Sequence, residues 1–234
     1  MGTYKEIRGT HIVSVTSDPP SPVNGQMWYN STTRTLKGFT SSPAGTWATS
    51  GSMNTGRRGG GSKGSQTSGI AVGGNVPPAS GAVELFNGST WTETTDLGST
   101  RRGLGTCAVV NTAAIAFGGE QSPSAWYTLN ESWNGSSWTE VNDLNTGANN
   151  LAGLGANNTA VIAAGGSVPS VTAKTEDWNG VSWVETTDMN TARTQLGGRG
   201  TATSGVVFGG STGSVTGSTE EWSGSSSTIK VLTD

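Results

Sequence analysis

The regular spacing of its tryptophans constrains the fold of this chain more than any other sequence feature. Four of them recur at intervals of 44, 47 and 45 residues: Trp47, Trp91, Trp138 and Trp183. Six residues after each of them stands a methionine or a leucine, and a Gly-Gly pair follows further on, at 73–74, 118–119, 165–166 and 209–210. A repeat of this length is typical of β-propeller blades, in which each repeat forms one sheet.

Each repeat predicts four antiparallel strands, which we label a to d in chain order. Strand a follows "NTGRR" or its equivalent, and strand b is the apolar run into Gly-Gly, as in "GIAVGG" and "AVIAAGG". Strand c is the Glu-x-aromatic segment, and strand d is the Trp-x-Glu segment. These runs are short and end in glycine, as strands do. Because Gly, Ser, Thr and Asn are poor helix formers, we expect an all-β chain with almost no helix.

The Asn-Gly pair between strands c and d predicts a tight hairpin. It occurs in "ELFNGSTW", "ESWNGSSW" and "EDWNGVSW". A type I′ turn needs positive φ at both central residues, and Asn-Gly is the pair that accepts this most readily. We therefore predict a type I′ turn at each of these three positions.

The repeats predict a propeller with five four-stranded antiparallel blades. Residues 51–234 contain four kelch-like blades, and residues 1–50 form an irregular first blade of the same propeller. In that first blade "GQMWYN", "TLKGFTS" and "GTWATS" supply strands b, c and d, with "THIVSV" at an edge. The last repeat has Ser227 in place of the expected tryptophan, and "STIKVLTD" is its strand d. We expect a weak seam between the last and first blades.

The aromatic residues on strands c and d have two possible roles. In a sheet rich in Gly and Thr they supply the large apolar area that packs one blade on the next. The alternative is a surface platform on which sugar rings stack. We predict the core role for all six tryptophans of this set, Trp91, Trp133, Trp138, Trp178, Trp183 and Trp222.

Composition excludes several partners. The chain has 234 residues, 12% of them charged, and a net charge of -3. Nucleic acids and anionic membranes attract clustered positive charge, which is absent, so we expect neither a nucleic-acid partner nor membrane insertion. The N-terminal "MGTYKEIRGTHIVSV" lacks the apolar core of a signal peptide. The single cysteine, Cys107, predicts no disulfide framework, and we expect it to be a small buried apolar residue.

Two resemblances follow from these motifs. Gly-Gly after an apolar strand, followed by glutamate, an aromatic residue and tryptophan, resembles the kelch repeat over roughly residues 51 to 225. The segment "SDPPSPVNGQMWYNSTTRTLKGF", residues 17–39, resembles a short module of tail-fibre and other virion proteins of marine, cyanophage-like tailed phages. This resemblance implies a virion protein at the host-facing end of a fibre. Its implied partners are a host surface glycan or receptor and other virion proteins.

Kelch-like propellers also include copper radical oxidases and intracellular protein-binding scaffolds. The oxidases need tyrosine, histidine and cysteine ligands that converge. Here His11, Cys107 and the three tyrosines are scattered among different repeats. We therefore predict no catalytic residues, no metal, no cofactor and no enzymatic activity. Binding to a polysaccharide of a host surface is the leading hypothesis, and a protein-binding scaffold inside the cell is the alternative.

The turns from strand d to the next strand a, and the loops from b to c, predict one binding rim. The d-to-a turns contribute arginines and asparagines: Arg57, Arg58, Arg101, Arg102, Arg193, Asn149 and Asn150. The b-to-c loop of the second repeat is the longest and carries Trp126 and Tyr127. Loops that vary on a rigid frame commonly provide binding specificity. These nine residues are the candidate ligand-binding set, and Trp126 and Tyr127 are the candidates for stacking on a glycan.

The rim arginines have an alternative structural role. A glutamate lies two residues before the strand c aromatic in each repeat, at Glu84, Glu131, Glu176 and Glu220. Residues two apart in a strand point to the same face of the sheet. An arginine from a neighbouring segment could pair with this carboxylate and hold adjacent blades together, because a buried guanidinium needs such a partner. Both roles, ligand contact and interblade clamp, stay open at this point.

Overall fold

A computed structural model describes residues 12–40, 45, 47–121 and 125–224, and all regular structure in these residues is β. They form 20 strands and no helix, which confirms the all-β prediction. Within the described ranges, no helix has the length and apolarity needed to cross a membrane. The chain divides into two compact units, Met1–Thr49 and Ser50–Asp234, which are described separately.

The described residues of the first unit form one three-stranded sheet. Its strands, in sheet order, are β1 (Val13–Val15), β2 (Met27–Asn30) and β3 (Thr35–Gly38). β1 runs parallel to β2, and β2 and β3 are antiparallel. Three of the predicted strands therefore form, but the parallel pairing of β1 with β2 differs from the antiparallel blade that the sequence predicted. The predicted fourth strand does not form, because the described residues 47–50 have no strand and the Trp47 side chain is fully exposed.

Asp18 lies between β1 and β2, and its side chain forms hydrogen bonds with residues of β2 and β3. Its carboxylate accepts hydrogen bonds from Lys37 Nζ at 2.7 Å, Asn30 Nδ2 at 2.8 Å and Trp28 Nε1 at 3.0 Å. These donors, with Lys37 the largest contributor, hold the pKa of Asp18 well below its usual range. Residues 17–39 thus include a compact polar cluster around one carboxylate.

The described residues of the second unit form one main sheet for each of the four repeats, and we call these the first to fourth repeat sheets. The first repeat sheet is formed by β4 (Gly61–Ser65), β5 (Ser68–Asn75), β6 (Ala79–Phe86) and β7 (Trp91–Glu93). The second is formed by β8 (Gly105–Cys107), β9 (Ala114–Phe117), β10 (Asn130–Trp133) and β11 (Trp138–Val141). In both sheets the neighbouring strands are antiparallel and follow chain order, as predicted.

The third and fourth repeat sheets keep this order. The third is formed by β12 (Ala152–Gly155), β13 (Val161–Ala164), β16 (Thr175–Trp178) and β17 (Trp183–Glu185). Its b-to-c loop contains a small hairpin, β14 (Ser167–Val168) and β15 (Ser170–Val171). The fourth is formed by β18 (Gly197–Gly200), β19 (Ser204–Phe208) and β20 (Thr219–Ser223). Ser227 and its predicted strand d lie outside the described residues.

The repeat sheets pack on one another in chain order. Their first strands are neighbours, β4 against β8, β8 against β12 and β12 against β18. Three apolar clusters lie between successive sheets and contain, among others, Val83 with Trp133, Phe117 with Trp183, and Leu154 with Val207. This sequential stacking around adjoining first strands is compatible with a propeller-like arrangement.

The aromatic residues of strands c and d contribute to these clusters to different extents. Trp133, Trp178 and Trp183 are buried, which confirms the core prediction for them, whereas Trp91, Trp138 and Trp222 are half-buried. Within a repeat, the two rings pack at centroid distances of 5.3 Å for Trp133 and Trp138 and 5.4 Å for Trp178 and Trp183. Tilted pairs at this distance are favourable beyond the area that they bury.

Cys107 lies on β8 inside one of these clusters. Its side chain is buried, as the sequence predicts, and burial raises the pKa of the thiol to about 12. A thiol with this pKa is almost entirely protonated at neutral pH and therefore a poor nucleophile. Cys107 is a structural residue.

The turns between strands c and d differ from the predicted type I′ turn. Each has four residues between the paired strand ends, and positive φ occurs at the glycine alone, as at Gly135 with φ +100°. The asparagine has negative φ and acts through its side chain: Asn134 Oδ1 accepts hydrogen bonds from the Ser136 and Ser137 amides at 2.9 and 3.0 Å. The type I′ prediction was wrong because the asparagine side chain satisfies the turn amides itself.

Candidate functional site

The predicted rim residues divide into buried and accessible groups. Arg57, Arg101 and Arg193 have side chains that are almost entirely buried. Arg102, Trp126 and Tyr127 are half-buried at the surface. Of the remaining three residues, Arg58 is exposed, Asn150 is half-buried and Asn149 is buried.

Arg101 illustrates the buried group. Its side chain has no exposed surface, and Nη2 donates to Glu131 Oε1 at 2.8 Å. Nη1 donates to the carbonyl oxygens of Leu129 and Gly118 at 2.6 and 3.1 Å. The backbone of Arg101 belongs to the connection from the first repeat sheet, because its carbonyl oxygen accepts from the Gly74 amide at 2.9 Å. Arg101 therefore joins the first repeat sheet to the second.

The same arrangement occurs in the first and fourth repeat sheets. Arg57 pairs with Glu84, and Arg193 pairs with Glu220 at 2.9 Å. Burial raises the pKa of each of these carboxyl groups, but hydrogen bonds from turn amides and the paired guanidinium outweigh it, so both pKa values lie below their usual range. Of the two roles left open by the sequence, these contacts support the structural clamp for the three buried arginines.

Asn150 takes part in a backbone ladder that links the d-to-a turns. The amide of Gly103 donates to Gly59 O at 2.7 Å, that of Asn150 to Gly103 O at 2.6 Å, and that of Gln195 to Asn150 O at 2.9 Å. All four residues have positive φ, which asparagine accepts more readily than most residues. Asn150 thus has a structural role, because its backbone forms hydrogen bonds at a contact between the second and third repeat sheets.

Arg58 lies apart from the other accessible residues. Its backbone forms a bridge with Asn75 in the first repeat sheet, with the Asn75 amide donating to Arg58 O at 2.7 Å. The residue is exposed. The equivalent bridge in the second repeat sheet joins Arg102 and Glu120.

The structure brings the remaining predicted residues together around one carboxylate that the sequence interpretation missed. Glu120 Oε1 accepts from Arg102 Nε at 3.1 Å, and Oε2 accepts from Asn149 Nδ2 at 2.6 Å. Tyr127 donates through its hydroxyl to Gln121 Oε1 at 3.0 Å. We call this set the rim cluster: Arg102, Glu120, Gln121, Trp126, Tyr127 and Asn149.

The loop that carries the two aromatic residues is anchored at both ends. Trp126 forms a backbone bridge with Glu120, and the Tyr127 amide donates to Gly119 O at 2.8 Å. A Cβ atom at Gly147 would lie 2.8 Å from the Trp126 carbonyl oxygen, so the loop packs on a glycine of the next d-to-a turn. The rim cluster is therefore held by two repeat sheets. Residues 122–124 of this loop lie outside the described residues.

The sequence contains a signal that could have identified Glu120 as a residue specific to the second repeat. The residue after Gly-Gly is Asn75, Ser167 or Ser211 in the other repeats, and only the second repeat has a carboxylate there.

Lys63 is a second residue that sequence interpretation missed. It reaches from β4 to the carbonyl oxygens of Gly153 and Gly198, at 3.4 and 3.3 Å, on the first strands of the third and fourth repeat sheets.

In the part of the chain that the structure describes, no three His, Cys, Asp or Glu residues lie close enough together to hold a metal ion. The chain matches no protein-family model and no curated protein. The rim cluster is therefore interpreted from its own chemistry.

Proposed function

We propose that this protein is a non-enzymatic component of a phage virion, in a tail fibre, and that it attaches the particle to a host surface by binding polysaccharide at the rim cluster. The observation that carries the binding site is the b-to-c loop of the second repeat, the longest of the four, in which Trp126 and Tyr127 lie beside Glu120 and its partners. The resemblance of residues 17–39 to a virion module supports the location.

The chemistry of the rim cluster suits a sugar. An aromatic ring offers a flat apolar surface to the C–H face of a pyranose, and Trp126 and Tyr127 are both partly accessible. Around them, guanidinium, carboxylate and amide groups of Arg102, Glu120 and Gln121 donate and accept hydrogen bonds, as sugar hydroxyls require. A rigid β frame holds these groups in place before the ligand binds, which lowers the entropic cost of binding.

We also propose that the four repeat sheets are successive blades of a five-bladed propeller. The successive contacts of the first strands and the backbone ladder at the d-to-a turns support blades arranged around an axis. A kelch-like ring would present the rim cluster on one face, where the b-to-c loops of neighbouring blades meet.

Binding is tested with the full chain on a glycan array. Trp126→Ala and Tyr127→Ala should each abolish the glycan signal of the wild-type protein and leave its melting temperature nearly unchanged, because these rings contribute to the complex and little to the core. Tyr127→Phe is the conservative control, since it keeps the ring and loses only the hydroxyl that donates to Gln121. Retained binding by both alanine variants would place the ligand elsewhere.

Trp138→Ala is the matched control for folding. It truncates a half-buried aromatic residue that packs on Trp133, so it should lower the free energy of unfolding by up to about 3 kcal/mol and reduce binding only through unfolding.

The proposed location of the protein in the virion has a separate test. Mass spectrometry of purified virions should detect the chain, and its absence from particles would contradict the virion proposal without affecting the glycan result.

A further inference from the structure

The third repeat lacks the arginine that the other three repeats bury. Ala148 occupies its position, as the backbone hydrogen bonds show. The Arg101 carbonyl oxygen accepts from the Gly74 amide, that of Ala148 from Gly119 at 2.7 Å, and that of Arg193 from Gly166 at 2.8 Å. The backbone of the clamp is thus intact in the third repeat, and only the guanidinium is missing.

The groups that bind the guanidinium elsewhere are still present. In the second repeat sheet they are Gly118 O, Leu129 O and Glu131. By strand register, their equivalents in the third repeat sheet are the carbonyl oxygens of Gly165 and Lys174 and the carboxylate of Glu176. Each of these groups accepts hydrogen bonds and none donates.

The Glu176 carboxylate is buried and rigidly held. Glu176 is only 3% exposed. Oε2 accepts from the Asn145 amide at 2.8 Å and from Asn145 Nδ2 at 2.9 Å, and Oε1 accepts from the Thr146 amide at 2.9 Å. These neutral donors fix its position, and no described cation lies within 4.0 Å of it to form an ion pair. A buried carboxylate without a cationic partner is costly.

A small cavity lies between Ala148 and Glu176. Its volume is about 10 Å³, enough for one water molecule, and its lining includes Thr146, Val168 and Thr172. These three residues are half-buried and stand at the accessible side of the cavity. A planar guanidinium is larger than one water molecule, so its binding requires these side chains to move. We call this cavity the third-repeat slot.

The charge around the slot favours a cation. Lys174 also lines the slot, but its Nζ donates to Glu185 Oε1 at 2.5 Å and to Thr146 Oγ1 at 3.3 Å and forms no ion pair with Glu176. The hydrogen bond to Glu185 raises the pKa of Lys174, and the charges of Glu185, Asp188 and Glu176 add to this effect. The neighbourhood of the slot therefore has a surplus of negative charge.

We propose that the third-repeat slot binds a guanidinium group from outside the chain, carried either by a small free compound or by an arginine side chain of a bound peptide. The three sister repeats show the bound geometry, with the same carboxylate and the same two carbonyl oxygens. This site is separate from the rim cluster and does not depend on the proposed function.

The test measures the melting temperature of the full chain with millimolar ethylguanidinium chloride, which copies the end of an arginine side chain. A rise of about 2–4 °C is expected when the concentration reaches about five times Kd. Ethylammonium chloride and sodium chloride at equal ionic strength should produce no such rise. An equal rise with ethylammonium would overturn the proposal, because the slot would then select charge and not the planar group.

Two variants keep this test decisive. Ala148→Arg should fill the slot from within, so its melting temperature should exceed that of the wild type and show no further rise with ethylguanidinium. Arg193→Ala empties the matched position in the fourth repeat sheet, where Arg193 pairs with Glu220. Rescue of Arg193→Ala by ethylguanidinium together with no response of the wild type would show that the third-repeat slot has closed, and would overturn the proposal.

A second ligand distinguishes the two sources of the guanidinium. Acetyl-arginine amide carries the group on a peptide backbone, whereas ethylguanidinium carries it alone. A rise with both supports an arginine side chain of a partner as the ligand, and a rise with ethylguanidinium alone supports a small free compound. Trp126→Ala should leave both responses unchanged, because the rim cluster is a different site.

Discussion

Two adjacent arginines of one turn, Arg101 and Arg102, meet opposite environments. Arg101 is fully buried against Glu131, whereas the Arg102 side chain is 30% exposed and pairs with Glu120. The position of the glutamates made an arginine–glutamate pair one of two possible roles, but the sequence could not decide which arginine of "RR" turns inward. That choice depends on the path of the d-to-a turn, which local sequence does not determine.

Removing the buried guanidinium of Arg101 should strongly destabilise the folded protein. Arg101→Ala leaves Glu131 as a buried charge without its partner, so we expect the free energy of unfolding to fall by about 3–5 kcal/mol. Urea denaturation measures this loss. Arg102→Ala, the neighbouring control, should cost less than about 1 kcal/mol because its ion pair is partly exposed. Equal losses for the two variants would contradict the clamp.

The clamps also predict how stability depends on pH. The folded-state pKa values of Glu84 and Glu220 are lower than their unfolded values. Their contribution is therefore complete above the unfolded pKa of glutamate, about 4.3, and is lost as the pH falls through the folded values. Urea denaturation should show nearly constant stability contributions from these groups between neutral pH and about pH 5, and a decline in more acidic solution. In Glu220→Gln the free energy of unfolding should fall less in acid than in the wild type. An unchanged fall would show that Glu220 does not contribute to the pH dependence.

Strand order was readable from the sequence, whereas turn geometry was not. Apolar runs that end in Gly-Gly, and Glu-x-aromatic segments, locate β5, β9, β13 and the strands that pair with them. The Asn-Gly motif predicted positive φ at both residues, but only the glycine has it. The asparagine side chain is long enough to accept hydrogen bonds from the next amides, and this competes with the backbone geometry of a type I′ turn.

The glycine of this turn should be the sensitive residue. Gly135 has φ +100°, a conformation that a residue with a Cβ atom rarely adopts, so Gly135→Ala should lower the free energy of unfolding by about 1–2 kcal/mol. Gly56→Ala is the control, because a Cβ atom there meets nothing within 4 Å and its φ is not positive. Thermal or urea denaturation of both variants measures the difference. Similar values for the two would show that the turn relaxes.

On the scale of the whole molecule, the interval between tryptophans predicted the number and order of the repeat sheets. It did not predict contacts that join distant repeats. Lys63 reaches carbonyl oxygens on two other sheets, and the rim cluster joins a turn of one repeat to a loop of another. Such contacts depend on how sheets are placed side by side. The replacement of arginine by Ala148 was visible in "NTGAN", but its consequence, a cavity beside a buried carboxylate, required the packed structure.

The repeat sheets differ in burial, and this predicts a gradient of local stability. Every residue of β9 and β13 is buried, whereas β20 alternates between exposed and half-buried residues and β18 has no buried residue. Backbone hydrogen bonds open more easily where few apolar contacts must be broken. Amide hydrogen exchange followed by mass spectrometry should therefore be slowest in peptides that cover β9 and β13 and fastest in those that cover β18 to β20. This is also the end of the unit at which the Ser227 substitution predicts a weak seam. Uniform protection across the four repeat sheets would contradict both expectations, since it would mean that the sheets open as one cooperative unit whatever their burial.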